Sequence, residues 1–177
     1  MSQKTMTLWI AAAIVFCAGS AAAQHQHRHH DQSPYAGQDQ RSVKALSEQQ
    51  VDDLRSGRGM SLALPAELNG YPGPLHVLEL ADQLELTPEQ RRNVQRLYDL
   101  MKAEAIQVGE ALVEQERLLD RHFADRKITL ASLASLTTQI GQTQATLRAT
   151  HLKYHLSTSD LLTPEQMRIY AERRGYR

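Results

Sequence analysis

The chain of 177 residues carries 20 basic and 20 acidic side chains, so no bulk charge directs it towards nucleic acid. Its one cysteine, Cys17, lies in an apolar amino-terminal segment, which excludes a disulfide, a thiolate metal site and a thiol nucleophile from the rest of the chain. Only two Phe and one Trp occur, and a core of aliphatic residues, Ala and Tyr favours helices over a sheet.

Residues 1–23 are typical of a secretory signal peptide. Lys4 precedes an apolar run over residues 8–19, and three alanines at 21–23 offer a cleavage site before Gln24. The run of 12 residues is shorter than the roughly 20 that cross a bilayer, so we expect cleavage rather than membrane insertion. Bulky Phe16 before Cys17 does not fit a lipoprotein signal. We therefore predict a periplasmic protein without a lipid anchor.

Residues 24–40 are polar, lack a hydrophobic period and are predicted to form a flexible tail. Four histidines lie within six positions of this tail, and neutral imidazoles suit Cu, Ni and Zn ions. These candidate metal ligands are His25, His27, His29 and His30. Cleavage after Ala22 would instead place His25 third, where the terminal amine and backbone nitrogens help to chelate Cu or Ni. A merely solvated polar tail is the alternative.

Residues 41–73 are predicted to form one short helix followed by a loop. Ser47 and Gln50 make a capping box, and Leu46 and Val51 are spaced to pack across it, so a helix should run to Gly57. Seven Gly and Pro residues then punctuate positions 57–74. We expect this segment to wrap over the domain as turns and loop, with a brief helical stretch near 63–69.

Two amphipathic helices are predicted next. Apolar residues from Leu75 to Leu84 recur at helical spacing and indicate a short helix that ends before Leu86. Residues 87–90, Thr-Pro-Glu-Gln, then combine an N-cap, proline at the first helical position and a glutamine that closes the box. An apolar stripe from Val94 to Leu119 continues this second helix to about Asp125.

A third helix should follow a turn at residues 126–128, with Thr129 as its cap and an apolar stripe from Leu133 to His151. The two long helices, of roughly 38 and 31 residues, should form an antiparallel hairpin. Because such stripes exceed what two short helices can bury, we expect a homodimer. Residues 163–166 repeat Thr-Pro-Glu-Gln and start a short fourth helix.

Leu86-Thr87-Pro88-Glu89-Gln90 and residues 162–166 are identical five-residue words, 76 residues apart, and residues 46–50 are a weaker version. Two such words around a long helical pair, behind a signal peptide and a histidine-rich start, resemble the periplasmic Spy/CpxP-like LTxxQ-motif family. Zinc-resistance-associated and heavy-metal-sensor proteins are relatives in that family. The resemblance covers about residues 74–174 and leaves residues 41–73 unexplained.

The resemblance implies an all-α fold in which a long antiparallel helical pair is flanked by short helices and chains dimerise. It also implies a role in envelope stress, either as a binder of divalent transition metals or as an ATP-independent chaperone that binds unfolded clients or restrains a sensor kinase. The motif alone does not choose between them. The histidines favour metal binding, with Zn, Ni, Co or Cu as the ion and no organic cofactor.

Within the predicted fold, His151 and His155 are four residues apart and project from one face of the third helix. Two imidazoles at this spacing can share a metal, whereas packing and hydrogen bonding are the alternative role. The family's metal sensors pair such a histidine with ligands from the first helix, which here offers His76 and Glu79. The second helix offers Glu104 as a looser candidate.

No motif supports an enzyme. The spacing of His151 and His155 is that of a zinc protease helix, but Leu152 stands where the catalytic glutamate belongs. The chain also lacks a nucleophile elbow, a phosphate loop and a dinucleotide fingerprint. For the chaperone alternative, apolar residues between charges on the long helices could bind clients, with a basic cluster for an acidic partner at Arg91, Arg92 and Arg96.

Overall fold

A computed structural model describes residues 33–176, and the histidine-rich positions 25–30 and the predicted signal peptide lie outside these described residues. Residues 33–176 are all-helical and contain no strand. The described residues from Tyr35 onwards form one compact unit. After a one-turn 3-10 helix (Gln38–Gln40), the helices are α1 (Glu48–Arg55), α2 (Leu64–Glu67), α3 (Pro74–Glu79), α4 (Pro88–Ala124), α5 (Leu130–Ser159) and α6 (Pro164–Arg174).

Side-chain caps fix where four of these helices begin. Ser47, Thr87 and Thr163 each accept a hydrogen bond from the backbone N–H of a glutamine three residues later, whose side chain accepts one from the cap's own N–H. Thr129 caps α5 in the same way, with Ser132 in place of glutamine. The predicted starts of α1, α4, α5 and α6 are therefore confirmed, because each box satisfies backbone donors that a helix terminus leaves unpaired.

The first predicted amphipathic helix is shorter than its apolar pattern indicates. Helix α3 ends at Glu79, and residues 80–85 follow as turns in which Glu85 adopts a left-handed backbone with φ of 49°. Ala81 and Leu84 are nevertheless buried, so turns place them in the core as a helix would have done. The stripe therefore predicted which side chains are buried but not the backbone that carries them.

The long helices α4 and α5 pack against each other, as two long helices in sequence predict. Leu112 and Val113 of α4 share one apolar cluster with Ile140 and Leu147 of α5. Helix α1 adds Leu54 to this cluster and approaches α4 so closely that a Cβ on residue 109 would lie 2.3 Å from the Leu54 carbonyl oxygen. Gly109 is therefore required for the contact between α1 and α4.

A second apolar cluster surrounds the two repeated words. Its buried members include Val77, Leu84, Val94 and Tyr170. Beside it, the amide of Gln90 donates to Gln166 Oε1 over 2.9 Å, and the amide of Gln166 donates to Gln90 Oε1 over 3.1 Å. The identical words are thus two helix starts that contact each other through their capping glutamines.

The apolar face of α5 is covered within one chain. Leu136 and Ile140 are only 6% and 7% exposed, and they lie in the first half of α5, after the turn from α4. Burying them does not need a second subunit, which removes one argument for the predicted dimer. None of the helices at residues 33–176 combines the length and the apolar character needed to span a membrane.

Candidate functional site

A buried carboxylate, Glu67, lies at the centre of the most polar part of the core. It is the last residue of α2, within the Gly- and Pro-rich residues 57–73 that were predicted to wrap over the domain (the wrap), and it is 5% exposed. Gly70, with φ of 84°, turns the chain after α2 so that the backbone N–H of Gly73 donates to Glu67 Oε2 over 3.2 Å. Residues 57–73 therefore do more than cover the domain, because they carry an anion into it.

Helix α6 and the residues after it contribute hydroxyl and guanidinium groups to Glu67. The hydroxyl of Tyr170 donates a hydrogen bond to Glu67 Oε1, and the hydroxyl of Tyr176 lies 3.2 Å from the same oxygen. Arg174 Nε lies 3.7 Å from it. The carboxylate thus links the wrap to the end of the chain.

Two of the predicted ligands, His76 and His155, lie on either side of this carboxylate. Nδ1 of His76 is 3.5 Å from Glu67 Oε1, and Nδ1 of His155 is 3.7 Å from Glu67 Oε2. The structure therefore brings α3 and the end of α5 together, as the geometry of the sequence prediction required. The carboxylate between them is Glu67, whereas Glu79 is exposed and forms no hydrogen bond or ion pair with a residue at 33–176.

Burial by itself raises the pKa of Glu67, because removing a carboxylate from water disfavours its charge. The hydrogen bonds from His76 and Tyr170, the charge of His76 and the backbone N–H of Gly73 act in the opposite direction and lower the pKa to about 2. Glu67 is therefore ionised at neutral pH. A buried anion of this kind attracts cations to the groups around it.

His155 is held in one orientation. Its Nδ1 lies 2.7 Å from the carbonyl oxygen of Tyr71, which can only accept a hydrogen bond, so Nδ1 carries a proton and donates it to this bond. The ring packs on Gly73, where a Cβ would lie 2.8 Å from Cε1 and Nε2. Glycine at position 73 is therefore necessary for the ring to sit where it does.

His151 is the other member of the predicted pair and is more deeply buried, at 2% exposure. Its ring lies near Gly59 of the wrap, and its buried Nε2 has no hydrogen-bond partner among the described residues. Burial, followed by repulsion from His155, lowers its pKa below the ordinary histidine value. His151 is therefore neutral at pH 7, which is the state in which imidazole binds a metal.

Glu104, the looser candidate of α4, is occupied elsewhere. It accepts a hydrogen bond from the hydroxyl of Tyr154 over 2.8 Å and pairs with Lys153 Nζ at 2.5 Å. Burial and then the hydrogen bond to Glu104 raise the pKa of Tyr154 to about 12. These contacts fasten α5 to α4 and do not direct Glu104 towards the histidines.

The donors are of the right kind for a transition metal, but they do not form a ready-made site. Over residues 33–176, no three His, Cys, Asp or Glu side chains are placed so that they could hold one ion together. His25, His27, His29 and His30 lie outside the described residues. What the folded unit offers is a pair of imidazoles on one helix and a buried carboxylate.

Sequence reasoning missed Glu67 and its tyrosine partners. Glu67 stands alone in a Gly- and Pro-rich stretch, where a carboxylate is ordinarily solvated. Its one sequence signal is its place within the brief helix predicted near residues 63–69, with a sharp turn directly after it.

The comparison of this chain with protein-family models, with curated proteins and with solved structures finds no match.

Proposed function

We propose that this chain is an exported, non-enzymatic protein of the periplasm that binds divalent transition metals during envelope stress. The observation that carries the proposal is the pair His151 and His155, buried one helical turn apart on α5. Nε2 of neither ring makes a hydrogen bond to a residue at 33–176. Zn, Ni, Co and Cu ions are the metals that imidazole nitrogen suits.

The surroundings of the pair support this role. A carboxylate that lies at Nδ1 of an imidazole fixes the ring and raises the basicity of Nε2, as second-shell carboxylates do in metal sites. Glu67 lies in that place for His76, and the backbone carbonyl of Tyr71 occupies it for His155. We propose His151 and His155 as direct ligands, with His76 completing the site.

Access to the buried pair depends on the wrap. Gly59 lies against the ring of His151, and Gly73 lies against the ring of His155. A metal ion reaches Nε2 of these rings when this glycine-containing cover moves away. We propose that the wrap controls entry of the ion.

We also propose that the chain belongs to the Spy/CpxP-like LTxxQ-motif family, with an antiparallel hairpin of α4 and α5 that dimerises. The antiparallel arrangement is supported by contacts between distant positions: residue 104 pairs with residue 154, and Gln90 donates to the carbonyl of Leu161. The meeting of Gln90 and Gln166 gives both family words one shared structural role. Dimerisation is tested by sedimentation at micromolar concentration, where a monomer of full helicity would contradict it.

The second candidate function is that of a chaperone for unfolded periplasmic clients, or of a partner that restrains a sensor kinase. One observation favours it. Large apolar side chains on α2, on α3 and between them are exposed, each by two fifths or more: Leu64, Leu68, Tyr71 and Leu75. On α4, Arg92 and Arg96 are exposed and form no ion pair with a described residue, whereas Arg91 pairs with Asp82 at 2.7 Å.

A variant that separates the two functions carries alanine at the four tail histidines, His151 and His155. Under the metal proposal it loses Zn and Ni binding in calorimetry, because imidazole nitrogen supplies the ligands. Its suppression of client aggregation should be unchanged, because that activity needs apolar surface. His122→Ala, at the far end of α4, is the matched control and should bind metal normally. Retained metal binding by the six-alanine variant would refute the proposal.

A further inference from the structure

An apolar groove of about 600 Å³ lies beside the contact between α1, α4 and α5. Leu54, Leu112 and Leu147 form its buried floor, and Leu46, Met60 and Leu62 add partly buried walls. Sites for small organic ligands have this size and this predominantly apolar lining. The groove is therefore large enough for one acyl chain.

The rim of the groove carries a single charge. Among the residues that the structure describes, Arg148 of α5 is the only charged one that lines it, and the other polar side chains there are those of Gln50 and Gln144. Arg148 is exposed and forms no ion pair with any residue at 33–176. An unpaired guanidinium flanked by two amides above an apolar floor complements an anionic head group on an apolar tail.

Helix α5 leaves the groove open at a cost to its own stability. Gly141 lines the groove, and no atom lies within 4 Å of the position where its Cβ would be. Packing therefore does not require glycine here, although glycine weakens a helix by about 1 kcal/mol relative to alanine. One turn further on, the side chain of Ala145 on the same side of α5 is also small. Together they leave space that leucine would fill.

The wall opposite α5 is shaped by an unusual backbone. Met60 and Ser61 both adopt left-handed conformations, with φ of 42° and 63°, although neither is glycine. Such conformations are uncommon outside glycine and concentrate where a site requires them. Here they bring Met60, a flexible side chain that adapts to irregular apolar ligands, into the groove.

We propose that this groove binds the anion of a single-chain fatty acid, with the acyl chain along Leu54, Leu112 and Leu147 and the carboxylate at Arg148. This function goes beyond metal binding and does not depend on it, because no histidine at 33–176 lines the groove. The proposal makes three requirements that can be tested separately. Affinity must depend on the length of the acyl chain, on the sign of the head-group charge and on the open space at Gly141.

The test is calorimetry of the full-length exported protein with sodium dodecanoate, kept below its micelle concentration. Decanoate, which is two methylenes shorter, should bind about fifteenfold more weakly, because each buried methylene contributes about fourfold. Dodecyltrimethylammonium, which has a like chain and the opposite charge, should bind more weakly still. If wild type does not bind dodecanoate, or binds the cation equally well, the proposal is wrong.

Variants locate the binding within the groove. Gly141→Leu fills it from α5 and should weaken dodecanoate at least tenfold, whereas Ala149→Leu, on an exposed position of the same helix outside the groove, should not. Arg148→Gln should weaken binding about tenfold by removing one charge-assisted hydrogen bond, and Arg92→Gln should have no effect.

Three results would overturn the assignment. Unchanged affinity in Gly141→Leu would place the ligand elsewhere. Tighter binding of lysophosphatidylglycerol than of dodecanoate would make a lysolipid the occupant. A change of sedimentation in Gly141→Leu with no change in dodecanoate affinity would make the groove an interface between copies of the chain.

Discussion

Replacing Glu67 with glutamine removes the buried negative charge that the groups around it (the polar centre: His76, His155, Tyr170, Tyr176 and Arg174) surround, and keeps the size of the side chain. The pKa of Glu67 is lowered to about 2, against 4.5 for an unperturbed glutamate. At about 1.4 kcal/mol per pKa unit, its ionisation stabilises the fold by about 3 kcal/mol at pH 7. Glu67→Gln should lose most of this, which lowers the melting temperature by roughly 6–12 °C.

The pH dependence follows from the direction of the shift. Because the folded pKa lies below the unfolded pKa, the stabilisation is complete well above pH 4.5 and is lost as the pH falls through 4.5 towards 2. By pH 3 about 2 kcal/mol of it should be gone in wild type. Glutamine does not titrate, so the difference between wild type and Glu67→Gln should narrow by that amount.

The assay is urea unfolding followed by circular dichroism at pH 7 and pH 3. Glu79→Gln is the matched control, since Glu79 is an exposed carboxylate without a contact to the polar centre and its loss should cost less than about 0.5 kcal/mol. If Glu67→Gln unfolds within 0.5 kcal/mol of wild type at pH 7, or if the difference does not narrow at pH 3, the account of the buried carboxylate is wrong.

Three further predictions concern the helices. Gly109→Ala should lower the free energy of unfolding in urea by more than about 2 kcal/mol, because the new Cβ would meet the Leu54 carbonyl. Gly141→Ala should raise it by about 0.5–1 kcal/mol, because the new Cβ would meet no atom and alanine favours a helix. Equal effects of the two substitutions would contradict the packing described. The Tyr154 phenol should ionise near pH 12, as measured by the pH-dependent ultraviolet absorbance of wild type minus that of Tyr154→Phe. Glu104→Gln should move this midpoint towards pH 10, and a midpoint near 10 in wild type would contradict the contact. The pKa of His151 is lower in the folded chain than in the unfolded chain, so the unfolded chain takes up a proton first as the pH falls below 6.5. The free energy of unfolding in urea should therefore drop between pH 7 and 5 less steeply in His151→Gln than in wild type.

The helix starts were predictable because their signals are local. A capping box needs only the residues from Ser or Thr to the third position after it, so positions 47, 87 and 163 could be assigned without knowing the tertiary fold. Burial of the apolar stripes was predictable for the same reason. The end of α3 was not, because turns at residues 80–85 bury Ala81 and Leu84 equally well.

The candidate site was predictable only in part. A spacing of four on one helix placed His151 and His155 together, and the order of the helices placed His76 near them. Glu67 could not be found in this way, because its burial depends on contacts with Tyr170 and Tyr176, more than 100 positions away in the chain. Long-range polar contacts leave no periodic pattern in a sequence.

The most direct test of the proposed function is zinc calorimetry at pH 7.5 on the exported protein with alanine at His25, His27, His29 and His30. This variant isolates the histidines of the folded unit. We predict one zinc ion per chain, bound with an affinity that His155→Ala abolishes and that falls in acidic solution, because a protonated imidazole cannot bind a metal. If the variant without tail histidines binds no zinc above pH 7, the pair on α5 serves packing alone and the metal proposal for the folded unit is contradicted.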